Sequence, residues 1–169
     1  TAGSQVIDLS ARQILVRSGS AQLLQITPTP SGGDGPEQFD GRTGGALSVL
    51  AKGSLNLVDL DGDSRALTAD GDIMVNARNQ LATGSDVIAT GSAELIADGR
   101  LQVDAAVRGT ELRLTSANDD ARISGSLLGS QSVSLRAGLG TAGGIAVTST
   151  GRIIAGNSTS TGTIQLSSG

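Results

Sequence analysis

The sequence predicts an all-β fold: a parallel β-helix, or solenoid, of about twenty residues per coil with three short strands in each coil. Three observations carry the prediction. Short apolar/polar alternations recur, as in Ile73-Met74-Val75-Asn76-Ala77 and Ser132-Val133-Ser134-Leu135-Arg136-Ala137. A period of two places side chains alternately on opposite faces, which is the strand pattern. Ala77, Ala97, Ala117 and Ala137 fall at a constant interval of twenty residues. A unit this short cannot bury an apolar face alone and has to stack on its copies. Finally, Phe39 is the sole aromatic residue, so the core has to be built from Ile, Leu, Val and Ala. A narrow bore suits that set, and branched aliphatics favour strands.

Taken in order, the first coil is expected over Gln5 to Ile26. Its three apolar bursts are Val6-Ile7-Asp8-Leu9, Ile14-Leu15-Val16 and Leu23-Leu24-Gln25-Ile26. Residues 27–45 hold all three prolines (Pro28, Pro30, Pro36), Phe39 and a run of Gly, Ser and Asp. Proline cannot donate to a central ladder, so this stretch reads as a loop leaving the wall. Long surface loops cost little, and such a loop is either a tolerated insertion or a binding loop on a rigid rod.

Ala46 to Leu60 returns to the pattern, with Ala51 two periods after Ala11. Residues 59–64, Asp59-Leu60-Asp61-Gly62-Asp63-Ser64, then intrude and lengthen the interval from Ala51 to Ala77 by six residues. Carboxylates at alternate positions, with Asp70 twelfth from Asp59, resemble a calcium loop. Against that reading stand Ser64 where the loop needs glycine and Asp70 where it uses glutamate. A solvated acidic turn is the alternative.

From Asp72 to Ala137 the period is clean. Gly138 to Gly144 reads as a corner, and Ile145-Ala146-Val147, Ile153-Ile154 and Ile164-Gln165-Leu166 continue the strands. The whole, residues 1–169, is expected to be a single solenoid segment of roughly seven coils.

Catalysis finds little support. The chain has no His and no Cys, so Ser-His-Asp and Cys-His sets cannot be assembled. No catalytic, cofactor-binding or metal-ligating residue is assigned, and no cofactor is expected. Lys52, the single lysine, sits in a turn. Asp61/Asp63 and Asp119/Asp120 are paired carboxylates of the sort used by polysaccharide-cleaving β-helices, but aromatic platforms are lacking. Arg108-Gly109-Thr110 reads as a turn, and Met74 as a packing residue, inward or at an edge. Net charge is −4 and there is no Lys/Arg cluster, so nucleic acid is not an expected partner. No apolar run approaches a membrane span, so membrane insertion is not expected. No signal peptide is visible at Thr1, so the piece is expected to be either cytosolic or cut from inside a longer chain, and a repeat that starts and stops in mid-pattern favours the second.

The phrase Leu-x-Ala-x-x-x-Leu, in Leu9 to Leu15, Val49 to Leu55, Val75 to Leu81 and Leu95 to Leu101, resembles the repeats of filamentous haemagglutinin. That family comprises the large exoproteins of bacterial two-partner secretion, among them adhesins and contact-dependent inhibition proteins. The resemblance spans nearly the whole chain outside 27–45. The family's amino-terminal secretion domain carries Asn-Pro motifs, which this sequence lacks. The resemblance therefore implies a right-handed β-helix belonging to the rod, secreted or held at the bacterial cell surface. Implied partners are an outer-membrane two-partner-secretion transporter during export and a receptor on host cells, bacteria or surfaces. An unfolded chain without Cys suits such export. A polysaccharide-active enzyme or a phage tail-fibre domain is the alternative.

Overall fold

In a computed structural model of the 169-residue chain, residues 6–29, 35–139 and 143–169 are described. Among them every regular element is a strand. In chain order these are β1 (Val6–Leu9), β2 (Gln13–Ser18), β3 (Gln22–Ile26), β4 (Glu37–Thr43), β5 (Leu47–Ala51), β6 (Leu55–Leu57), β7 (Arg65–Ala69), β8 (Ile73–Ala77), β9 (Leu81–Thr83) and β10 (Asp86–Ala89). There follow β11 (Ala93–Ala97), β12 (Leu101–Val103), β13 (Val107–Ser116), β14 (Ala121–Ile123), β15 (Ser126–Ala137), β16 (Ile145–Val147), β17 (Arg152–Asn157), β18 (Ser160–Thr161) and β19 (Thr163–Ser168).

They stack in three parallel ladders. The first runs β1, β3, β5, β8, β11, the second half of β13, the second half of β15, and β19. The second runs from the first half of β2 through β4, β6, β9, β12 and β14 to β16. The third joins the second halves of β2 and β4 to β7, β10, β13, β15 and β17. The second ladder takes six steps from Gln13 to Ala146, so the solenoid makes about six turns. At strand spacing that is a rise of about 29 Å.

Alternation does what the sequence predicts. In β8 and β11 the inward residues Ile73, Val75, Ala77 and Ala93, Leu95, Ala97 are buried, and their neighbours face out. Ala77 lies directly under Ala97. The next rung departs from the twenty-residue count. Ser116, not Ala117, stands over Ala97 and under Ala137. Its buried hydroxyl donates toward the carbonyls of Gly99, Asp119 and Asp120, within 2.7–3.1 Å, so a polar residue is satisfied at the corner. Upstream, the rungs below Ala51 are Ile26 and Leu9, so Ala11 does not belong to this column.

The expected loop at 27–45 is much shorter. Glu37–Thr43 is a wall strand, β4, bonded to β2 below and to β6 and β7 above. Phe39 is fully buried in the bore. Gly41 makes room for it: a Cβ there would lie 2.8 Å from the ring's Cε1. What read as loop glycine is the space the one aromatic ring fills. Residues 59–64 do form an excursion, between β6 and β7, as expected. Of the expected 138–144 corner, Gly140 to Ala142 lie outside the described residues, as do Pro30 to Asp34 of the earlier loop. On the last turn, β17 and β18 pair antiparallel as a hairpin that interrupts the solenoid pattern.

Candidate functional site

The strongest polar constellation lies where the 59–64 excursion folds back over β2 and β4. These two strands are neighbours in the wall, which puts Arg17 beside Arg42 in register and Leu15 beside Asp40. Asp40 sits at the bend between two ladders and is fully buried beneath the excursion. One of its oxygens accepts from Arg17 Nη1 at 2.8 Å, the other from the Leu60 amide at 2.9 Å. Asp61 bridges the two arginines, taking Arg17 Nη2 at 2.7 Å and Arg42 Nη2 at 3.0 Å. Asp63 closes on Arg42 as well.

Asp59 holds the excursion's own shape. Its Oδ1 accepts the amides of Asp61 (3.0 Å) and Gly62 (2.6 Å), and its Oδ2 accepts that of Ser64 (2.7 Å). Gly62 and Ser64 both have positive φ, 92° and 71°. That conformation is free for glycine and uncommon for serine. The Ser64 amide, then those of Gly62 and Asp61, favour the charged carboxylate and lower the Asp59 pKa to about 2. Arg17 is raised above its ordinary value, mainly by its hydrogen bond to Asp40.

Carboxylate oxygens of Asp40, Asp59 and Asp61 come within 4.8 Å of one another. Three converging carboxylates are what a hard cation uses. Here, however, Asp40 and Asp61 are neutralised by Arg17 and Arg42, and Asp59 is saturated by backbone amides. Asp70, the twelfth residue of the calcium-loop pattern, lies past the end of β7, exposed and outside this trio. The arrangement's chemistry is that of a clasp: two guanidinium groups on the wall fasten an acidic loop. Sequence reasoning missed Asp40, Arg17 and Arg42 because the first sat in a presumed loop and the pairing spans up to 44 residues.

Other candidates are dispersed. Asp120 Oδ1 accepts the Gly144 amide at 2.7 Å, and Asp119 Oδ1 accepts the Asp120 amide at 2.7 Å, so both shape turns. Arg108-Gly109-Thr110 lies within strand β13, where the register shifts at the bend between ladders, and is not a turn. Met74 points outward and is 46% exposed. It lines an apolar depression of about 580 Å3 with Ile7, Leu23 and Leu47 on the first ladder. Further along the same face lies a polar depression of about 480 Å3, bordered by Glu94, Glu111, Arg113 and Arg136. No helix among the described residues is long and apolar enough to cross a membrane.

Compared with known proteins, the chain matches no family model, no curated sequence and no solved structure.

Proposed function

We propose that this chain is a structural and adhesive rod segment of a large secreted bacterial surface exoprotein, a spacer that also offers its wall for attachment. The observation that carries the reading is the continuous stack of three ladders around an aliphatic bore. Each turn contacts its neighbours through backbone bonds along all three faces, which makes a stiff rod whose length is set by the number of turns. The acidic clasp ties the 59–64 excursion to the wall through ion pairs, which serves shape rather than turnover. In the resembling family such a rod is exported through an outer-membrane pore and mediates adhesion or contact-dependent inhibition. The test is retention of beads coated with the chain on cultured epithelial cells, bacteria and abiotic surfaces. Saturable binding above beads carrying an unrelated solenoid is expected; binding equal to that control on all three overturns the adhesive part.

A second reading, a polysaccharide-active β-helix, is favoured by one observation. Glu94, Glu111, Arg113 and Arg136 gather on one face around the polar depression, as a groove for an acidic polysaccharide would require. Release of unsaturated or reducing ends from polyuronides would support it, and loss of that release in Glu111→Gln would place it there.

A further inference from the structure

Two outward patches on different faces of the solenoid complement one another in side-chain size, spacing and charge. The first is the apolar depression of about 580 Å3 on the first ladder. Met74 lies at its upper rung, Ser48 on the rung below and Leu23 on the next. Ala46 and Ala21 stand beside the lower two, so small side chains leave the space. Asp72 is the one charged residue lining it, and is exposed without an ion pair among the described residues. The second patch lies on the third ladder, where Arg108, Leu128 and Ile154 are successive rungs of one outward row. They border a depression of about 390 Å3 that Gly109 and Gly129 also line. Arg108 is its one charged residue, likewise exposed and unpaired among the described residues. Met74 and Ile154 are 46% and 40% exposed, which is apolar surface left uncovered on each patch.

We infer that the third-ladder row of one chain docks in the first-ladder depression of a second copy, with the two solenoids antiparallel. Both rows step at the same strand spacing of about 4.8 Å, which fixes the register. With Arg108 against Asp72 of the second copy, Leu128 one rung on faces Ala46 and Ser48, and Ile154 a further rung on faces Ala21 and Leu23. Large side chains thus enter where small ones leave room. Met74 meets the glycine-lined side of the other patch, and its unbranched thioether adapts to an irregular gap. Parallel solenoids would instead set Leu128 against Glu94 and Ile154 against Arg113, desolvating charges on apolar groups. The Asp72–Arg108 pair selects the antiparallel register more than it adds affinity. Because the contact joins two different faces, every copy keeps one face free, and association runs on past the dimer. Patches of this size make a weak, reversible contact.

Sedimentation velocity of the full chain from micromolar to millimolar concentration tests this, with thermal melting of each variant to check folding. The mean mass should rise with concentration beyond that of a dimer. Asp72→Arg and Arg108→Asp each set like charges face to face, and each should weaken association by about tenfold or more. Ile154→Ser should weaken it too, at an exposed side chain and with no change of charge. Mixing Asp72→Arg with Arg108→Asp should restore association, since each carries the charge the other now needs; a chain that had failed to fold could not do this. An unaltered chain that stays monomeric throughout would overturn the inference, and its co-sedimentation with phosphatidylcholine vesicles would assign the depression to lipid. Association that survives either charge reversal, or that does not return on mixing, would overturn it equally.

Discussion

Thr83 is a hydroxyl in the wrong place for stability, and replacing it tests the description of the bore. It is fully buried on β9, inward between Leu57 below and Val103 above. Its Oγ1 has no hydrogen-bond partner among the described residues. A buried hydroxyl without a partner costs about 1–3 kcal/mol on the mutational scale. Thr83→Val exchanges it for a methyl of similar shape and keeps the β-branched rotamer preference that suits a strand. The variant should therefore be more stable by about 1–3 kcal/mol. In urea this appears as a higher midpoint with an unchanged slope. Thr68→Val is a companion test: its hydroxyl oxygen is likewise buried and unpaired among the described residues, though the residue as a whole is only half-buried on the outer face, so a gain in the same direction is expected. A Thr83→Val chain that is equally or less stable would refute the reasoning, because the hydroxyl would then have a partner or would not face the bore.

Other expectations follow from the same geometry. Gly41→Ala should destabilise by about 1–3 kcal/mol as the new methyl meets the Phe39 ring, measured by thermal melting. Phe39→Ala should cost about 3–5 kcal/mol through the cavity it leaves. Asp40→Asn removes the partner of Arg17 at the base of the clasp. Because Arg17 keeps a third of its surface in solvent and retains Asp61, a loss of about 1–2 kcal/mol is expected, with faster proteolysis at residues 59–64. Asp59 titrates at about 2 in the folded chain, below the ordinary carboxylate value of about 3.9. Its contribution is thus fully present above about pH 4 and is lost as pH falls through 2. Asp59→Asn should flatten the fall of the melting midpoint across that window, and an unaltered fall would count against the amide-saturated carboxylate.

Much of the solenoid was legible because local alternation and global stacking demand the same residues. Ile73 to Ala77 and Ala93 to Ala97 read as strands, and they pair in register. The even interval of alanines was less faithful than it looked. One turn is a residue short, and Ser116 fills the inward corner with its single hydroxyl proton facing three carbonyls, which no hydropathy pattern reveals. Prolines and glycines hid β4, since Gly41 carries the signature of a loop while serving to admit an aromatic ring. The 59–64 excursion was visible as six extra residues, but its partners were not. Arg17 and Arg42 meet it only after successive turns are stacked, so a carboxylate pattern that suggests calcium ends as ion pairs. The Arg108-Gly109-Thr110 bend stays in the ladder because a register shift, not a turn, changes its direction.

The stacking itself is open to direct measurement. The chain has no native cysteine, so spin labels can be placed singly on outward positions of the second ladder. Gln13 and Ala146 lie six steps apart, Asn56 and Ala146 four. Pulsed dipolar spectroscopy of the two doubly labelled chains should give separations near 29 Å and near 19 Å, differing by about two strand spacings. Equal separations, or a Gln13 to Ala146 distance far from that rise, would contradict the solenoid and the rod built on it.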